Sequence, residues 1–177
     1  MRLVAALVGV IIILISPAPA DAAPTHRTFR VALTPGVDIT VPAAVNLGAG
    51  LAGGTLTGQL GRVEVTDFRG SVNPNTWVAT VSATIFTTGA GGAQRTITND
   101  RISYWSGPAV RSTGGGTLVP GQLGAAQAVT LAATREAFRK TAGSGNNSVA
   151  WVPIIRVAIP TGIIAGLYRG TIIHSVA

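Results

Sequence analysis

The chain has 177 residues, with 13 Lys+Arg against 6 Asp+Glu, a formal net charge of +7, and no cysteine. This excludes a disulfide scaffold, a lipid-modified cysteine and a thiol nucleophile, while the length suits one domain that buries its core without staples. The positive charge is almost all arginine, since Lys140 is the one lysine, and with the abundant Ala, Gly, Val and Thr it fits a GC-rich genome.

At the N-terminus, Arg2 precedes an apolar run from Leu3 to Ile15, and "SPAPADAA" follows. A short positive region, an apolar region too short for a comfortable span and a small-residue site describe a secretory signal peptide. Cleavage is expected after Ala20 or Ala22, with Ala23 as a further choice. A retained N-terminal anchor is the alternative, and a buried core helix fits less well. The expected division is a signal peptide over 1–22, an arm over 23–36 holding His26 and Arg27, and one domain over 37–177. The expected location is outside the cell or on its wall, with no membrane span after cleavage.

From Val37 onward the pattern is β. "VDITV", "GRVEVTD", "TWVATVSATIF", "DRISYWS", "QAVTLAA", "VAWVPIIRVAIP" and "LYRGTIIHSVA" are short, β-branched and alternating. In the third of these, Trp77, Ala79, Val81, Ala83 and Ile85 share one face, with Val78, Thr80, Ser82, Thr84 and Phe86 on the other. Gly-rich breakers such as "GAGLAGGT", "RGSVNPNT" and "AGSGNNS" separate the runs. "AATREAFRK" is the one stretch suited to a helical turn. Alternating strands must bury one face against a second sheet, so the expected fold is an all-β, immunoglobulin-like antiparallel sandwich.

No catalytic, metal or cofactor site emerges. His26 lies in the arm, and His174, on the last strand, has no nucleophile turn to serve. It reads as a solvent-facing or pocket-lining residue. Asp38, Glu64, Asp67, Asp100 and Glu136 are dispersed, and Glu64 and Asp67 point to opposite strand faces, which makes them a poor hydrolytic pair. "GAGGAQRT" lacks the Gly-Lys-Ser/Thr end of a phosphate loop, and no metal-ligand spacing is present. A hydrolase drawing on distant acids is therefore the weakest reading.

The aromatic residues and the charge point to binding. Trp77 and Trp151 suit core packing. Tyr104 and Trp105 are adjacent, so they face opposite ways and one is expected at the surface, where it could stack on a sugar ring. Tyr168 follows "PTGIIAG" and is expected to be structural, bonding back to that turn as in a tyrosine corner. Scattered arginines outside the cell favour an anionic wall polymer or lipid headgroup, or simply a solvated surface, and not nucleic acid. A long terminal strand also suits edge pairing with another surface protein.

The ordered pieces "LGRVEVTDFRG", "TWVATVSATIF", "ITNDRISYWSG" and "GNNSVAWVPIIRVAIPTGIIAGLYRGTIIHSVA" resemble the WxL-type domain of bacterial surface proteins, in the secreted form of high-GC Gram-positive bacteria. The likeness runs over residues 37 to 177, and the closing G-x-Y-x-G-T-I-x-H-S-V-A is its most specific part. It implies a surface protein that binds the cell wall, especially peptidoglycan, without a covalent link. Trp77-Val78-Ala79 fills the first W-x-L slot, and His174-Ser175-Val176 fills the second with histidine in place of tryptophan. The candidate binding set is Trp77, Tyr104, Trp105, Trp151 and His174. Because the chain ends on "AGLYRGTIIHSVA" with no sorting signal or tail anchor, attachment is expected to come from the folded domain.

Overall fold

The computed structural model describes residues 36–177 in full and residues 5–15 along their backbone. The expected cleavage sites and the arm, with His26 and Arg27, lie outside the described residues, apart from Gly36. Sixteen strands follow in order: β1 (Ala5–Ile15), β2 (Val37–Thr40), β3 (Ala44–Ala49), β4 (Thr55–Gln59), β5 (Val63–Asp67), β6 (Trp77–Ala83), β7 (Phe86–Thr87) and β8 (Thr96–Ile97). Then come β9 (Ile102–Trp105), β10 (Ala109–Thr113), β11 (Leu118–Pro120), β12 (Val129–Thr130), β13 (Arg135–Lys140), β14 (Asn147–Trp151), β15 (Ile154–Ala158) and β16 (Gly166–Val176). The helical pieces among the described residues are single 3-10 turns, and none is long and apolar enough to cross a membrane.

The fold is all-β and sandwich-like. One sheet runs β11-β13-β6-β16-β1-β3, with β7 and β8 attached beside β16. Two four-stranded sheets, β10-β14-β5-β2 and β12-β9-β15-β4, form the opposing layer. All pairings are antiparallel except β1 with β3.

The two small sheets are joined by one bent ribbon. β4 pairs with β15 in one and β5 with β14 in the other, and the Leu60 N–H donates to the Pro153 carbonyl where the ribbon passes between them, at 2.9 Å. Pro153 has no N–H for a ladder. Gly61 takes φ 81°, a left-handed conformation that glycine adopts without steric cost. The single apolar run "VAWVPIIRVAIP" is therefore two strands in two sheets.

The core lies between the layers. Trp77, Ala79 and Val81 of β6, Phe138 of β13 and Tyr168, Ile172 and Val176 of β16 meet Val63, Val65, Val149, Trp151, Ile102, Tyr104, Ile155 and Val157. Each such large apolar side chain contributes about 1.5–3 kcal/mol through burial. Gly170 is fixed by close approach: a Cβ there would sit 2.7 Å from Cγ of Phe86.

Two sequence expectations are corrected. "AATREAFRK" holds no helical turn; Arg135–Lys140 is β13, paired on both sides with β11 and β6. The alternation of "TWVATVSATIF" also breaks after Ala83, leaving Ile85 exposed and Phe86 buried. Thr84 causes the slip, since its hydroxyl accepts the Thr171 N–H at 2.9 Å and its own N–H bonds the Thr171 carbonyl.

Candidate functional site

The five candidate binding side chains are buried. Trp77, Tyr104, Trp151 and His174 belong to the interior, and Trp105 is 7 % exposed. Tyr104 and Trp105 do face opposite ways, but Arg156 from the neighbouring strand lies 5.5 Å from the Trp105 ring centre. Its cation covers the ring that the sequence leaves open to solvent. No aromatic platform for glycan is made by these residues. Trp77 and His174 both point into the sandwich, from the adjacent strands β6 and β16.

Three of the five meet. The Trp151 indole donates to the Tyr104 hydroxyl at 3.2 Å, and that hydroxyl lies 3.4 Å from His174 Nε2. Phe138 stacks on Trp151 with ring centres 5.0 Å apart. Burial drives the His174 pKa down to about 4 and raises that of Tyr104. Both groups are neutral near pH 7. His174 is thus not solvent-facing, and its described neighbours supply no nucleophile. Tyr168 closes the last turn, donating its hydroxyl to the Ile164 carbonyl at 2.6 Å.

Trp77 belongs to a second, charged region at the end of the sandwich. Its indole donates to Asn147 Oδ1 at 3.0 Å, and Asn147 Nδ2 donates to Asp67 Oδ2 at 3.2 Å. Arg69 grips the same carboxylate with Nε at 3.0 Å and Nη2 at 2.8 Å, and adds its backbone N–H. It also reaches Asn75 Oδ1 and the Thr76 carbonyl. Lys140 Nζ bonds the Asn75 carbonyl from inside the core. Burial alone would raise the Asp67 pKa, but the hydrogen bonds from Arg69 and Asn147 and the Arg69 charge outweigh it and hold the carboxyl low. Burial lowers that of Lys140, against the pull of Asp67.

Sequence reasoning missed this region. A signal was present: Asp67 shares the strand phase of Val63 and Val65, so a carboxylate stood on the inward face.

Two surface features remain. Arg101, Arg111, Arg135, Arg156 and Arg169 are exposed, and none of them forms a salt bridge with an acid among the described residues, whereas Arg62, Arg69 and Arg139 each do. The other feature is β16, an inner strand of the largest sheet, which pairs with β6 and β7 on one side and carries β1 along its whole length on the other. No family model matches the chain, and no significant match is found among characterised proteins or solved structures.

Proposed function

We propose that the chain is an exported, non-enzymatic protein of the cell envelope, held without a covalent link to an anionic wall polymer or peptidoglycan. The observation that carries this reading is the set of five exposed arginines with no acidic partner among the described residues. The leader-like N-terminus and the WxL-like motif order support the location. The non-enzymatic part is supported by how the acids are used: Asp67 is committed to Arg69 and Asn147, while Glu64 and Glu136 each pair with an arginine. Contact by charge replaces the aromatic platform expected from the sequence.

The test is co-sedimentation of the leader-free protein with purified cell wall. Binding is expected at low salt and release at high salt, because exposed charges are screened within about 10 Å at 0.1 M. Replacing Arg111, Arg135 and Arg169 together by Gln should lower the bound fraction several-fold while stability stays within about 0.5 kcal/mol per site. Full recovery in the supernatant at low salt would refute wall binding.

A second reading, an assembly subunit that pairs through a strand edge, is favoured by β16, which would lose its partner along all 11 residues if the leader that holds β1 is removed.

A further inference from the structure

β1 lies between two other strands. It pairs antiparallel with β16 from Ala5 opposite Val176 to Ile15 opposite Gly166, and parallel with β3 from Val10 opposite Ala44 to Leu14 opposite Ala49. Residues 5–15 are also most of the apolar part of the expected leader. Removing the leader takes out a middle strand of the largest sheet. The 11 residues of β16 lose a ladder partner on that side, and unpaired backbone groups at a buried edge are costly. The gap is roughly 36 Å long at 3.3 Å per residue, and one strand wide. The inward face of β16 beside it carries Tyr168, Ile172, His174 and Val176.

We propose that after leader removal this gap is filled by residues 25–34 of a second copy of the chain, laid antiparallel to β16. The proposal rests on export with cleavage near Ala22 and gives the assembly reading its partner.

The segment has the right chemistry. "THRTFRVALT" lies between Pro24 and Pro35, neither of which can donate into a ladder. Within it Phe29, Val31 and Leu33 alternate with Thr28, Arg30, Ala32 and Thr34, the pattern of a strand with one apolar face.

Chain length decides whose segment it is. Val37 at the start of β2 pairs with Asp67, Asp67 with Asn147, and Asn147 accepts the Trp77 indole N–H. Trp77 stands where Val78 and Ala177 exchange backbone hydrogen bonds. β2 therefore begins at the Val176 end of the gap. A strand antiparallel to β16 finishes at the Gly166 end, so returning to its own β2 needs roughly ten more extended residues. With cleavage after Ala22, residues 23–35 supply both parts, and once the gap is filled too few are left for the return. A second copy needs no return, because its β2 starts just beyond the Gly166 end. Each copy gives one arm and accepts one, a head-to-tail contact that closes a ring or grows into a filament.

The experiment uses leader-processed protein, with intact mass reporting the N-terminus and light scattering the oligomer. Dimers and larger species are expected, shifted to monomer by Phe29→Asp with Val31→Asp. Those variant monomers should then bind one synthetic peptide of residues 24–35 per chain and gain thermal stability. The chain has no cysteine, so Ala32→Cys with Leu167→Cys, both on the outward face, should cross-link between copies. A cross-link within one chain from Ala32→Cys with Ser175→Cys would overturn the proposal in favour of a parallel self-filled gap. A leader-free monomer at all concentrations that ignores the peptide overturns it too. A protein whose mass shows a retained leader overturns the export reading first, and the proposal with it.

Discussion

At the end of the sandwich the Trp77 indole gives its N–H to Asn147 within a charged set, whereas in the middle the Trp151 indole gives its N–H to Tyr104 within a neutral one. Both arrangements satisfy a buried tryptophan, which keeps the cost of burying its polar atom small. They do so with different vulnerabilities. The charged set contains the buried Asp67 and Lys140 and the half-buried Arg69, so losing Asp67 leaves the Lys140 and Arg69 charges without compensation. The neutral set stays intact only while His174 remains unprotonated. Two positions that a motif comparison would treat as equivalent, Trp77 and His174, therefore hold the fold in different ways.

Breaking the charged set should have the largest effect. Asp67→Asn keeps the side-chain shape but removes the negative charge beside Arg69 and Lys140. A loss on the order of 3–5 kcal/mol is expected, read as a fall in the urea midpoint. A change below about 1 kcal/mol would show that Asp67 does not hold this end together.

The neutral set should be exposed by pH. His174 titrates near 6.5 when unfolded and near 4 when folded. Between these values the unfolded chain binds a proton that the folded chain refuses, so stability falls as the pH drops. The contribution is complete above about pH 6.5 and amounts to about 3 kcal/mol, lost by about pH 4. His174→Gln should flatten this part of the stability profile, measured by denaturation at pH 7 and pH 4.5. An equal slope in both proteins would contradict a buried neutral imidazole.

The difference between the regions also explains how much was legible in the sequence. Alternation placed Trp77, Ala79 and Val81 on one face of β6 and indicated an all-β sandwich, because one period acts locally along a strand. It could not show that both faces of β9 are covered, since Arg156, which covers Trp105, comes from another strand. "REAFRK" carries good helix formers, yet pairing with β11 and β6 makes it a strand, with tertiary context overriding a weak propensity. Nothing in the local sequence around Lys140, next to Arg139, marks it as buried. Its burial depends on Asn75 and on the charge of Asp67, both distant in the chain. The sequence reading of Trp77 and Trp151 as core and of Tyr168 as a turn-closing residue holds, but the surface place expected for Tyr104 or Trp105 does not, because residue type does not report exposure.

The smallest expected effect sharpens the comparison most. Tyr104→Phe removes the hydroxyl that accepts from Trp151 and faces His174, leaving buried polar atoms unpaired at a cost of about 1–3 kcal/mol. Asn147 and Trp151 stand at opposite ends of β14, about 13 Å apart at 3.3 Å per residue. The two sets share no hydrogen bond. Independent sites at that separation add within about 0.3–0.5 kcal/mol. The double substitution Asp67→Asn with Tyr104→Phe should therefore lose the sum of the single losses, measured on a background stable enough to stay folded. Coupling above about 1 kcal/mol would mean that β14 transmits strain between its ends and that the two regions act as one.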